Sequence, residues 1–82
     1  MSIDGREATL SARDYFIETS GQYSVLGFAV EEVTYDDNVH KWTVKCSYFP
    51  GFVSFKEYYQ VDVDDDGKIL KVSKIAPPTP RP

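Results

Sequence analysis

The densest concentration of chemistry in the sequence is Asp62, Asp64, Asp66 and Gly67, which reproduces the D-x-D-x-D-G opening of a calcium-binding loop. Calcium takes several hard oxygen ligands around one point, and this spacing can offer three carboxylates. Ile69 stands where such a loop carries an aliphatic residue. The twelfth position, however, is Ser73 instead of a bidentate Glu, and the flanks alternate as strands do. The same letters specify a hairpin turn, with aspartates bonding nearby amides and Gly67 at positive φ. The turn is the expectation here, and a calcium-responsive domain using Asp62, Asp64 and Asp66 is its alternative. Crowded aspartates repel one another, and Lys45, Lys68 and Lys71 are the cations placed to relieve them.

Catalytic chemistry finds less to use. His40 is the only imidazole and falls in a turn beside Asp36 and Asp37, where solvation is its expected state. Cys46 is the only thiol; it shares parity with Trp42 and Val44, so it is expected to fill the core as a small hydrophobe. A Cys and His dyad would need both in one accessible cleft. Glu31 with Glu32, and Asp36 with Asp37, are adjacent in sequence, and adjacent strand residues point to opposite faces. No catalytic residue is assigned, and a non-enzymatic domain is expected, with a small enzyme of unknown reaction as a further alternative.

The aromatics are more suggestive. Tyr48, Phe49, Phe52, Phe55, Tyr58 and Tyr59 fall within twelve residues, more than strict alternation can hide beneath one helix. Bases stack on sheet aromatics in some RNA-binding modules, but a formal charge of −4 and the element order oppose nucleic acid. Tyr and Phe are favoured at protein interfaces. Phe49, Phe52, Phe55 and Tyr58 are therefore the candidate interface, for a protein partner or for self-association as a homodimer.

The elements that must position these residues follow from periodicity. Asp4 with Glu7, or Ser11 with Asp14, can cap a helix start. Glu7, Ser11, Asp14 and Glu18 share one wet stripe, while Ala8, Ala12, Tyr15 and Phe16 lie away from it. Gly21 is expected to end the helix. Beyond it the period becomes two. Val30 and Val33 differ in parity, which predicts a bulge near Glu31 and Glu32. Asp36 to Asn38 turn the chain into a strand with Trp42, Val44, Cys46 and Tyr48 on one side. Pro50 and Gly51 break the pairing ahead of a strand from Glu57 to Val63, with Tyr59, Val61 and Val63 inward. A last strand from Lys68 to Ile75 has mixed parity.

Eighty-two residues, 41% hydrophobic and 27% charged, allow one small core. The expected fold class is α+β: one amino-terminal helix packed on a four-stranded, mostly antiparallel sheet over residues 1–75, followed by a disordered Pro-rich tail over 76–82. A core centred on Tyr15, Phe16, Phe28, Trp42 and Tyr59 is expected. No cofactor is implied, and no stretch is apolar enough for a membrane span. One cysteine and the lack of an apolar leader make the cytoplasm the expected location.

The run from Ala12 to Ile75 resembles the PepSY-like domains, in which a helix precedes a meander ending in Y-x-V-x-D-x-D-G-K-I chemistry. Tyr59, Val61, Asp64, Asp66, Gly67, Lys68 and Ile69 carry that likeness here. It is also similar to the O-type gas-vesicle accessory proteins in its Ser20 and Gly21 pair, its Trp42-x-Val44 strand and the same hairpin. The order of elements further resembles a cystatin-like architecture, and Gln22 to Gly27 comes within one inserted residue of the cystatin Q-x-V-x-G loop. These resemblances imply architecture, a helix against an antiparallel sheet, and no particular activity.

Overall fold

The computed structural model describes residues 3–77. Helix α1 spans Gly5–Ser20 and starts at the first of the two expected caps. The Glu7 N–H donates to Asp4 Oδ1 at 2.8 Å, and the Asp4 N–H donates to Glu7 Oε1 at 3.4 Å. Two amides at the helix start are thereby bonded. Ala8, Ala12 and Phe16 are buried on the inner face. The alanines let the helix backbone lie close to the sheet, and the Phe16 ring packs 5.1 Å from that of Tyr48 and 5.0 Å from that of Tyr59. The helix ends at Ser20 as expected, with the Gly21 N–H donating to the Ile17 carbonyl. A short 3-10 turn, Gln22–Ser24, leads into the sheet.

Strands β1 (Leu26–Asp36), β2 (Lys41–Phe49), β3 (Glu57–Asp64) and β4 (Ile69–Ile75) form one sheet in the order β1-β2-β3-β4, every neighbour antiparallel. The register sets Val33 opposite Val44, Val44 opposite Val61, and Val61 opposite Val72, a single apolar row beneath α1. Val44, Cys46, Val61 and Val63 have no exposed surface, and Tyr15, Phe28, Trp42 and Tyr59 pack around them. Of the five aromatics expected at the centre of the core only Phe16 is buried; the centre is the smaller Val44, Cys46, Val61 and Val63, with Tyr15, Phe28, Trp42 and Tyr59 partly buried at its margin.

The parity breaks are also real. The β1–β2 register shifts between Val30 and Glu32, which leaves Glu31 as the extra residue of a bulge. A shift opposite Asp62 and Val63 skips Leu70, which accounts for the mixed parity of β4. A third shift, between Leu26 and Ala29, surrounds Gly27 and was not legible beforehand. Gly27 has φ 60°, and a Cβ there would lie 3.1 Å from the Phe49 ring.

Only one face of the sheet is covered by a helix. The other carries Lys41, Thr43, Lys45 and Ser47 of β2 beside Tyr58, Gln60 and Asp62 of β3. Ala76 and Pro77 are exposed and belong to no regular element, and the rest of the expected tail, residues 78–82, lies outside the described residues. No helix among the described residues is long and apolar enough to cross a membrane.

Candidate functional site

The aspartate hairpin forms a tight turn between β3 and β4. Asp64 Oδ1 accepts from the Asp66 N–H and the Lys68 N–H, both at 2.9 Å, while the Gly67 N–H donates to the Asp64 carbonyl at 3.1 Å. Gly67 takes φ 86°, the positive value the turn demands. Asp62 sits back in β3, 8% exposed, where Lys41 Nζ meets its Oδ2 at 3.2 Å and Thr43 Oγ1 its Oδ1 at 3.4 Å. The cation found at Asp62 is Lys41, from the adjoining strand, instead of Lys45, Lys68 or Lys71. Asp62 and Asp64 thus have separate partners, and no group of three or more His, Cys, Asp or Glu residues among those described converges where a metal ion could sit.

His40 and Cys46 are not brought together. Cys46 is fully buried, and burial pushes its thiol up to about 12, with the Glu31 charge adding to the rise. His40 is an exposed turn residue with φ 51°. Its Nδ1 lies 3.3 Å from the Tyr35 hydroxyl, which donates to Asp65 Oδ1 at 3.0 Å. Desolvation and the Asp65 carboxylate both raise the Tyr35 phenol. This clasp ties the β1–β2 turn to the β3–β4 turn, and residues thirty apart in sequence gave no local sign of it.

The aromatic segment lies at the opposite end of the sheet. Its four candidate residues divide in two. Phe49, which ends β2, is half-buried against Gly27, with Lys56 Nζ 5.3 Å from its ring centroid. Tyr58, in β3, is half-buried opposite Ile75. Between them the β2–β3 connection leaves Phe52 90% and Phe55 58% exposed, with Val53 also exposed. Leu26 pairs with Phe49 at this same end, so the exposed Tyr23 just before β1 is brought to the same rim.

No family model, curated protein or solved structure matches the chain. Geometry and chemistry therefore carry the functional reading.

Toward the aromatic end of the sheet, the face without a helix holds a hollow of about 370 Å³ lined by Glu31, Glu32, Lys45, Tyr58, Ile75 and Ala76. Ser47, fully buried, donates its hydroxyl to Glu31 Oε2 at 3.2 Å, and Lys45 Nζ pairs with Glu32 Oε2 at 3.6 Å. Sequence reasoning missed this hollow because its lining comes from all four strands. The predicted bulge was the one available sign, since a bulge re-aims the residue it displaces, here Glu31.

Proposed function

We propose that this domain is a non-catalytic binding or assembly module that engages a protein partner through the aromatic end of its sheet. The observation that carries the reading is the pair Phe52 and Phe55, left in water within one short connection. Burying an exposed phenylalanine side chain is worth about 1.5–3 kcal/mol. That is a large amount for a small domain to forgo, given total stabilities of about 5–15 kcal/mol. Both ends of the segment are held by the sheet, through Phe49 in β2 and Tyr58 in β3, so the apolar surface is presented on a fixed frame. A second copy of the chain is one partner such a surface suits. A single cysteine, itself buried, suits the reducing cytoplasm.

The test is the double variant F52S/F55S compared with the unaltered chain, by sedimentation and by capture of partners from native-host extract. The variant keeps its circular dichroism and melting temperature but loses self-association or the captured partner. Identical sedimentation and an identical partner set in the two proteins overturn the reading.

A further inference from the structure

We propose that the hollow on the helix-free face, toward the aromatic end of the sheet, receives an arginine side chain of the partner polypeptide, so that the module selects an arginine within an apolar segment. This rests on the reading of the aromatic end as a protein interface and names the chemistry of what binds there.

The lining divides by type. Tyr58, Ile75 and Ala76 offer a ring and two aliphatic surfaces, and Glu31 and Glu32 offer carboxylates. Lys45 is paired with Glu32. Glu31 has no cationic partner among the described residues, and its one hydrogen bond there, from the Ser47 hydroxyl, occupies Oε2 alone. Its Oε1 is left to accept. An arginine matches this division: its methylene stem covers apolar surface, its planar guanidinium stacks on an aromatic ring, and its N–H fork fits a carboxylate. A lysine would bring a compact, strongly hydrated charge that gains less from the ring. An anion would meet two carboxylates against one ammonium that is already paired.

Charge alone would send a cation elsewhere. The turn end of the molecule holds Asp36, Asp37, Asp64, Asp65 and Asp66, a denser set of carboxylates than the hollow. Asp36 and Asp64 accept from backbone amides and Asp65 accepts from Tyr35, and the molecule offers its own comparison between simple attraction and a shaped site.

The experiment is a two-dimensional NMR titration of the full chain with N-acetyl-arginine methylamide, set against the uncharged citrulline analogue. The arginine compound shifts the amides of Glu31, Glu32, Lys45, Ser47, Tyr58 and Ile75 saturably, the citrulline compound does not, and E31Q weakens the binding at least fivefold. Absence of shifts, equal shifts with citrulline, or shifts centred on the aspartate turns overturn the proposal. R81Q separates the source: an unchanged affinity supports a partner's arginine, and a tighter one shows that the chain's own Arg81 competes for the hollow, which overturns the partner assignment. F52S/F55S leaves the titration unchanged, because this small probe does not reach Phe52 or Phe55. A failed titration beside a partner lost in F52S/F55S removes this inference and leaves the interface standing.

Discussion

Cys46 is the residue whose chemistry burial has most altered. Its thiolate would have to form in the buried core, and that loss of solvation, with the Glu31 charge adding to it, pushes the thiol up to about 12. DTNB at about pH 8, where an exposed cysteine reacts readily, should leave the native chain unmodified and should label Cys46 at once in denaturant. Labelling of the folded protein at the rate of a free thiol would contradict the placement. Lys74 and Glu57 make the shortest ion pair among the described residues, 2.6 Å between Nζ and Oε2. The hydrogen bond from Lys74 holds the Glu57 carboxyl below its ordinary value, and the same bond raises Lys74. A lowered carboxyl stabilises the fold above its unfolded pKa, and that contribution is lost as pH falls through the folded one. K74M should therefore melt below the unaltered chain at neutral pH, with the gap closing as pH falls below the ordinary carboxylate range and through the lowered value of Glu57. A gap of constant size across that range would assign the effect to lost packing of the lysine stem. Individual residues of this kind were only half legible: the parity of Cys46 announced its burial, whereas the pairing of Glu57 with Lys74 joins two strands whose register no local pattern stated.

At the scale of elements the sequence was read more fully, because helix caps and alternation are local. Asp4 with Glu7, the stripe of Ala8, Ala12 and Phe16, and the even positions of β2 each depend on a few neighbouring residues. The Glu31 bulge was legible for the same reason, since it changes parity within one strand. The distortion at Gly27 was not, because the neighbour that excludes a side chain there, the Phe49 ring, comes from the adjoining strand. An alanine there would carry a methyl into that ring and hold a positive φ, at a combined cost of about 1–2 kcal/mol. G27A should show that loss in urea denaturation and should move the Phe49 ring away from Lys56. An unchanged midpoint would mean that β1 can rebuild its first turn without the bend. Both edge strands carry irregularities, at Gly27 and Glu31 in β1 and at Leu70 in β4, and β4 adds Lys71 and Lys74. Bulges and lysines are common defences of an unpaired edge against further strand pairing. They favour the rim over the edges as the place where the proposed partner would bind.

Across the whole molecule the two ends differ in kind. One gathers the helix start and the two aspartate-bearing turns, joined where the Ile3 N–H donates to the Asp65 carbonyl and where Tyr35 reaches Asp65. The other gathers Tyr23, Phe52, Val53 and Phe55. Asp64 is bonded to the amides of its own turn and Asp62 to Lys41 and Thr43, so calcium at about 1 mM should leave the melting temperature unchanged; a rise would restore a metal role for Asp62, Asp64 and Asp66. The division into ends follows from the alternating direction of successive strands in the meander, which puts the first and third turns at one end and the second at the other. That meander has a kinetic consequence. Each strand pairs with the next along the chain, so no long segment must be closed before the sheet can form, and refolding should finish on the order of milliseconds in a single exponential. The helix, first in sequence, has its buried face matched only by a surface assembled from several strands, and it should dock last.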